Sequence, residues 1–301
     1  MAGGSPMARQ RELGARLRGL RTEHGMTVEE VAERLLCSAT KVSRLETGAR
    51  RPSLRDVRDL CALYELDEST TDEFMSLARE AREQGWWTQY DDLDLDLLIG
   101  LEQEAAVITC YSMSYMPGLL QTEEYARSII LAVAPKMDSQ IVGQRTEARL
   151  RRQQLLEKND PPSFHVVLDE AVLHRGVGGA ALMAAQLDKV LQAARDGKVT
   201  IRVIPFTAGA YAAMDGYFTL LEFRDDSDLW PVVFVEGLSV NQYLQNRADI
   251  ARYRETLDYL RGRSLEPSDS VELIAKVQES YDRERRTLPW QPPGRLIEGY
   301  S

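Results

Sequence analysis

The chain has 301 residues, of which 44% are apolar and 28% charged, a composition typical of globular proteins rather than disordered ones. No stretch reaches the roughly 18 consecutive apolar residues of a membrane helix, and the first ten residues lack the apolar core of a secretion signal. Cys37, Cys61 and Cys110 are too few and too widely spaced for a disulfide framework or a metal-ligand pair. We therefore expect a cytoplasmic protein that has no membrane partner.

The net charge of −10 is unevenly distributed along the chain. Residues 1–60 contain 12 Lys and Arg against 8 Asp and Glu, whereas the remainder contains 25 against 39. The local charges are thus +4 and −14. A basic end on an acidic body suits a protein that binds a polyanion such as DNA with that end. The acidic body would repel the phosphate backbone and help to orient the basic end.

Residues 1–8 are mostly small and include Gly, Ser and Pro, and we expect a disordered leader there. From Arg9 onward, apolar residues recur at helical spacing, and the pattern predicts five helices within residues 9–84. Thr27, followed by Glu30, has the spacing of a capping box, and it opens the second helix. A turn at residues 36–38 precedes a third helix, which Ser38 can cap and which runs to about Glu46, and Ser53 caps a fourth helix.

The segment from Thr27 to Gly48 carries the most specific pattern in the chain. Ala32 is small where two helices must cross closely, and Val42 is apolar where the second must be anchored on the first. A three-residue turn sets the two helices at a wide angle, so that the second can lie in the major groove. The pattern resembles the Cro/cI-like (XRE-type) helix-turn-helix family over about residues 11–65. The family usually has glycine where this chain has Leu36, at a position that favours positive φ, which costs about 1 kcal/mol.

The resemblance implies roles in DNA binding by position. We expect the first exposed residues of the recognition helix to face base edges; these are Ala39, Thr40, Ser43 and Arg44. We expect contacts with phosphates from Lys41, Arg50 and Arg51 and from the amide groups at the helix start beside Thr27. In similar domains, residues at the positions of Arg21 and Glu46 form a structural ion pair that ties the first helix to the end of the recognition helix.

The remainder is predicted to be a linker and an α/β body. The linker is residues 85–100, which include aromatic residues at 86–90 and an acidic run at 91–96. The body is residues 101–286, and residues 287–301 are expected to form a loose tail. Strands are predicted near residues 107–116, 164–168, 199–204, 217–223 and 232–235, and helices near 122–133, 138–158, 179–195, 246–261 and 267–286. The predicted fold class is therefore α+β overall, an all-α five-helix head followed by a mixed α/β C-terminal body.

Several body segments resemble an actinobacterial family of WhiJ-like, antitoxin-like regulators. The segments that carry this resemblance are residues 78–87, 117–127, 149–156, 167–173, 204–206 and 218–223. The resemblance extends to about residue 262. It implies a regulator that is bound or modulated by a small cognate protein.

An enzymatic body is the alternative from a different class. Its candidate residues are Asp169, Glu170, His174, Asp215, Glu222 and Glu236. However, the sequence contains no HExxH, GxSxG, P-loop or GxGxxG pattern. We therefore expect no enzymatic activity, no cofactor and no metal. The loops at residues 117–121 and 206–216 are candidates for lining a small-molecule pocket, against the alternative that they only pack on the core.

The sequence thus predicts a DNA-binding transcription regulator. Its partners are expected to be double-stranded DNA, a second copy in a homodimer, and a small cognate protein or a small-molecule effector that acts through the body. A repressor is expected rather than an activator. The alternative is an antitoxin-like interaction protein that sequesters a small partner and binds DNA for autoregulation.

Overall fold

The computed structural model of the chain describes residues 6–48, 50–83, 85–90, 95–214, 216–224, 229–237 and 241–287. The described residues form two compact units. The first unit draws on Met1–Gln89, Asp94–Ala106 and Glu222–Pro231. The second draws on Tyr90–Leu93, Val107–Leu221 and Val232–Ser301.

The first unit is helical. Its helices are α1 (Pro6–Glu23), α2 (Val28–Arg34), α3 (Ala39–Glu46), α4 (Leu54–Leu63), α5 (Glu68–Glu80) and α6 (Asp96–Glu104). Each of α1 to α5 contributes apolar side chains at helical spacing to one buried cluster, which includes Leu17, Val31, Val42, Leu60 and Phe74. Helix α6 also packs against α1. The burial of these apolar faces holds the short helices together, since helices of this length are marginal in isolation.

Side-chain caps fix where α2, α3 and α4 begin. Thr27 and Glu30 form a complete capping box, in which the Thr27 hydroxyl accepts from the Glu30 amide and the Glu30 carboxylate accepts from the Thr27 amide. Ser38 accepts from the Lys41 amide, and Ser53 accepts from the Asp56 amide. These caps satisfy amide groups that have no partner inside a helix, so the predicted helix starts are determined locally.

The connection between α2 and α3 is a Schellman motif whose left-handed residue is Leu36. The amide of Cys37 donates to the Ala32 carbonyl, and the amide of Leu36 donates to the Glu33 carbonyl. Leu36 has a φ of 51°, and its side chain is 95% exposed. A positive φ was expected here, because the resembling family usually has glycine at this position. The motif therefore accommodates a residue type whose Cβ disfavours the conformation that the turn requires.

The second unit is built on a six-stranded mixed sheet of order β3-β2-β1-β4-β5-β6. The strands are β1 (Val107–Ser112), β2 (Ser163–Asp169), β3 (Thr200–Ile204), β4 (Phe218–Glu222), β5 (Val232–Val235) and β6 (Gln242–Leu244). Strands β1, β2 and β3 are parallel, with Val107 opposite Ser163 and His165 opposite Thr200. Strands β4, β5 and β6 are antiparallel, with Leu220 opposite Val233. The parallel strands are joined by helical crossovers, as parallel pairing requires.

The helices of the second unit are α7 (Glu123–Val133), α8 (Ser139–Gln153), α9 (Ala171–His174), α10 (Ala180–Arg195), α11 (Arg247–Arg263) and α12 (Pro267–Thr287). One cluster joins the sheet to α11, through Tyr111, Val167 and Phe218 on strands and Ile250 and Leu257 on the helix. Helices α10 and α12 pack extensively against each other, and α7 packs against α8. This arrangement confirms the predicted fold class, a helical head followed by a mixed α/β body.

Several predicted boundaries differ from the observed ones. Helix α1 begins at Pro6 rather than Arg9, α5 ends at Glu80 rather than near residue 84, and α6 lies partly within the predicted linker. Helix α8 ends at Gln153 and continues as a 3-10 turn, and β6 was not predicted. The acidic run at residues 91–94, residues 1–5 of the predicted leader and residues 288–301 of the predicted tail lie outside the described residues.

Replacing Leu36 by glycine tests the strained turn. Leu36→Gly should raise the free energy of unfolding by about 0.5 to 1 kcal/mol, because glycine adopts positive φ without steric cost and no buried contact is lost. Urea unfolding of the full chain measures this change. The matched control is Glu33→Gly, an exposed position inside α2, which should lower stability by a similar amount. A loss of stability in Leu36→Gly would contradict the account.

Candidate nucleic-acid interface

Helix α3 has one buried and one exposed face. Val42 and Leu45 are 1% and 4% exposed and lie in the core of the first unit. Because a helix turns by about 100° per residue, the side chains at positions 40, 43 and 44 must point away from that core. Thr40, Ser43 and Arg44 are indeed exposed, and Ala39 is half-buried.

Close approach of backbones holds the C-terminal end of α3 against α1. A Cβ at Gly14 would lie 2.6 Å from the Leu45 carbonyl oxygen and 2.7 Å from that of Glu46, so only glycine permits this approach. Gly48 follows α3 with a φ of +66°, and its carbonyl accepts a hydrogen bond from the buried Gln10 side chain at 2.7 Å. The first and third helices are therefore in direct backbone contact at the end of the recognition helix.

Arg21 and Glu46 form an ion pair between α1 and the end of α3. Arg21 Nε lies 2.7 Å from Glu46 Oε1 and its Nη2 lies 3.0 Å from Oε2, a bidentate geometry. A third bond runs from Arg21 Nη1 to the Met26 carbonyl at 2.8 Å. The Glu46 side chain is 6% exposed, and the hydrogen bond with Glu46 raises the pKa of Arg21. Burial, together with the Glu46 carboxylate, raises the pKa of neighbouring Tyr64 to about 12.

Arg44 is the exposed cation on the outer face of α3. Among the described residues, its guanidinium has no hydrogen-bond or ion-pair partner, while its carbonyl accepts from the Arg50 amide at 3.0 Å and from the Thr47 hydroxyl at 3.5 Å. Arg50 and Arg51 are also exposed and, within the same described ranges, their side chains form no ion pair. A guanidinium in this state can donate two parallel hydrogen bonds to guanine O6 and N7 or to a phosphate.

Lys41 is placed differently from the other cations. Its ammonium lies 2.6 Å from Asp56 Oδ1 on α4, and both side chains are half-buried. Burial alone would raise the pKa of Asp56, but hydrogen bonds from Lys41 and Ser53 bring it below its usual value. Lys41 therefore joins α3 to α4 in the DNA-free molecule. Asp56 was not singled out from the sequence, where its position three residues after Ser53 indicates only a helix cap.

The amide of Thr27 is likewise already engaged. The Glu30 carboxylate accepts from it at 2.7 Å and from the Thr27 hydroxyl at 3.1 Å. A phosphate at this end of α2 would have to approach beside the negative charge of Glu30. Of the four residues proposed from the sequence for phosphate binding, Arg50 and Arg51 are the two whose side-chain donors are not used within the described structure.

The comparisons with known proteins agree with this geometry. Residues 12–74 match a family model described as a helix-turn-helix domain. Residues 95–276, more than half of the chain, match the domain of unknown function DUF5753. The chain belongs to the DUF5753 family. A comparison with curated proteins finds no match. This DUF5753 protein thus carries a DNA-binding helix-turn-helix domain of XRE-like type at its N-terminus.

The carboxylates considered for catalysis in the DUF5753 body mainly hold loops. Asp169 accepts from the Tyr211 hydroxyl and from the Ala171 amide, the latter at 2.7 Å. Glu170 accepts from the Phe206 amide at 2.7 Å, and its second oxygen lies 3.3 Å from His174 Nε2. The described part of the chain brings no three His, Cys, Asp or Glu side chains into a metal-binding group. Asp215 lies outside the described residues.

The other two of these candidates lie at strand ends. The carbonyl of Glu222, at the end of β4, accepts from the Ala106 amide, and the carboxylate of Glu236, just after β5, accepts from the Tyr217 hydroxyl.

None of the helices in the described part of the chain has the length and apolar character needed to span a membrane.

Breaking the Arg21–Glu46 pair tests its structural role. Arg21→Met should lower the free energy of unfolding by about 2 to 3 kcal/mol, because it leaves the buried Glu46 carboxylate without its cation. Urea unfolding measures this change, and Arg21→Met/Glu46→Leu should lose less than the sum of the two single changes.

The matched control is the exposed pair of Arg55 and Asp59, whose side chains are 90% and 49% exposed and whose charged atoms lie 3.7 Å apart. Arg55→Met should change stability by less than about 0.5 kcal/mol. Equal effects of Arg21→Met and Arg55→Met would refute a stabilising role for the buried pair.

Proposed function

We propose that the protein is a sequence-specific DNA-binding transcription regulator whose recognition helix is α3. The observation that carries the proposal is the exposed face of Thr40 and Arg44, directly opposite the buried Val42 and Leu45. A helix anchored along one side and open along the other has the form that major-groove reading requires.

The proposed roles come from the family resemblance, and the exposure of the side chains supports them. Arg44 binds guanine through O6 and N7, and the methyl groups of Ala39 or Thr40 contact a thymine methyl group. Ser43 lies on the same face as Arg44 and donates to a base edge or to a phosphate. Arg50 and Arg51 hold the phosphate backbone. Lys41 also binds the phosphate backbone of the DNA, but only if its ammonium group divides its three N–H donors between Asp56 and a phosphate.

The regulator acts as a homodimer and as a repressor, in the cytoplasm where its DNA target lies. One small head reads too few base pairs to find a site alone, whereas two heads on half-sites one helical turn apart read a palindrome. The body controls the heads by binding a small cognate protein or a ligand. A change of a few kcal/mol in the pre-organisation of the heads is sufficient to switch occupancy.

The finer family assignment is also a proposal. The body segments around residues 117–127 and 149–156 support a WhiJ-like actinobacterial regulator with an antitoxin-like partner protein. These two segments contact each other in the second unit, because Gln153 on α8 donates to the carbonyls of Gly118 and Gln121.

Replacing Arg44 tests base reading. Arg44→Ala should reduce the ratio of specific to non-specific DNA affinity by about 5- to 150-fold, because a bidentate contact with guanine carries about 1 to 3 kcal/mol of discrimination. The measurement compares a duplex selected from a random pool by the wild-type protein with a scrambled duplex, at one fixed salt concentration. Circular dichroism should show an unchanged fold. An unchanged affinity ratio would rule out the role of Arg44.

Replacing Arg51 tests phosphate binding and serves as the matched comparison, since it removes the same charge from the same domain. Arg51→Ala should weaken binding to both duplexes equally and reduce the slope of log affinity against log salt by about 1. Arg127→Gln removes an exposed arginine from α7 of the body and should leave the slope unchanged. If Arg51→Ala instead lost discrimination between the selected and the scrambled duplex, with no change in the salt slope, Arg51 would be the residue that reads bases and its assignment to phosphate binding would be wrong.

A further inference from the structure

Arg149 on α8 is an arginine turned toward protein rather than toward solvent. Its Nη1 donates to Gln121 Oε1 at 2.9 Å, and among the described residues no carboxylate lies within ion-pair distance of it. Burial lowers the pKa of Arg149 and the neighbouring Arg152 cation lowers it further, whereas the Glu236 carboxylate, which is beyond ion-pair distance, raises it. A guanidinium has five N–H donors, so most of the donors of Arg149 have no protein acceptor in this part of the structure.

The groups around Arg149 are held rigidly. Gln121 is fully buried, and its Nε2 donates to the Met116 carbonyl at 2.6 Å. Gln153 donates to the Gly118 carbonyl at 2.9 Å, and Lys189 donates to the Gln121 carbonyl at 2.7 Å and to Gln153 Oε1 at 2.6 Å. The polar atoms of the loop that holds Arg149 are therefore satisfied by one another. This pre-organisation is what a binding site needs in order to avoid paying for loop ordering when a ligand arrives.

Two tyrosines lie near enough to this cation that their charges raise its pKa. The Tyr115 hydroxyl donates to the Tyr217 hydroxyl at 3.0 Å, and the ring centroids are 5.8 Å apart. Tyr217 in turn donates to Glu236, which is exposed and has no ion-pair partner among the described residues. Both tyrosines are only partly exposed, and burial raises the pKa of Tyr115 and that of Tyr217. A hydrogen-bonded chain thus runs from Tyr115 through Tyr217 to the Glu236 carboxylate, and the charges of all three groups act on the pKa of Arg149.

A ligand with complementary chemistry carries an anionic group and, further along, a hydroxyl or amino group. Its carboxylate or phosphate would receive the free donors of Arg149, its body would contact the rings, and its donor would reach Glu236. The chain after residue 60 has a charge of −14, yet no carboxylate lies within ion-pair distance of Arg149 among the described residues. Arginine is the residue best suited to planar, bidentate binding of such anions.

We propose that Arg149, Tyr115, Tyr217 and Glu236 bind a small effector with a carboxylate or phosphate head group, a proposal that rests on the control of DNA binding through the body. The site includes the loop at residues 117–121, which the sequence suggested as a pocket wall. The effector contacts α8 and the loop at residues 117–121, and its binding thereby changes the conformation of the second unit.

The test measures the thermal unfolding midpoint of the full chain with 4-hydroxybenzoate, inorganic phosphate or phenol at 50 mM and constant ionic strength. At least one of the two anions should raise the midpoint by about 2 °C or more, as expected for a dissociation constant of a few millimolar, while phenol, which lacks the anionic group, should not. The anion that gives the shift identifies the head group as carboxylate or phosphate. No shift with either anion overturns the proposal.

Variants assign the site. Arg149→Gln should abolish the shift, and Arg127→Gln, which removes an exposed arginine from α7, should retain it. If Arg149→Gln does not fold, Arg149→Lys carries the test, because lysine keeps the charge but loses the planar fork, and binding should weaken about tenfold. An equal shift in the wild type and in the folded Arg149 variant overturns the assignment.

A separate measurement of DNA affinity tests whether the bound anion acts as an effector. The dissociation constant of the selected duplex should change at least threefold on addition of the active anion at constant ionic strength, and this change should disappear in the Arg149 variant. Anion binding without a change in DNA affinity overturns the effector role and leaves the DNA-binding proposal intact. Conversely, absence of DNA binding with anion binding preserved refutes the proposed function and leaves the site.

Discussion

The orientation of helix α3 depends on how its inner side is fixed. Val42 and Leu45 are buried in the core, Gly14 allows the backbone of α1 to touch the end of α3, and the buried Glu46 carboxylate is paired with Arg21. Rotating α3 about its axis would expose two apolar side chains and leave a buried charge unpaired, which would cost several kcal/mol. The outward position of Thr40 and Arg44 is therefore a consequence of packing, and the proposed reading of DNA depends on it.

Much of the head could be predicted because its signals are local. Thr27, Ser38 and Ser53 cap helices that begin where the sequence placed them, and Leu36 adopts the positive φ expected of a position where glycine is usual. Caps and turns depend on residues within four or five positions of one another, so a single sequence contains the information. The roles of the exposed residues on α3 came from the family resemblance and remain predictions.

The features that the sequence did not reveal depend on contacts between distant residues. Lys41 was expected at a phosphate, but its partner Asp56 lies fifteen positions away on another helix. The first half of helix α6, up to residue 100, was assigned to a linker that includes an acidic run, although Leu98 and Ile99 are buried. Arg149 lies in a helix that reads as polar and solvent-exposed, and only the loop at residues 117–121 gives it a place inside the protein. Periodicity does not distinguish an inward cation from a solvated one.

The central claim is that the outer face of α3 reads bases from the major groove. Methylation interference on the duplex selected by the wild-type protein tests this most directly, since dimethyl sulfate methylates guanine at N7 in the major groove and adenine at N3 in the minor groove. The account predicts that methylation of at least one guanine N7 in each half-site prevents binding, and that Arg44→Ala is insensitive to that modification. Interference confined to adenine N3, or none at any guanine, would contradict it.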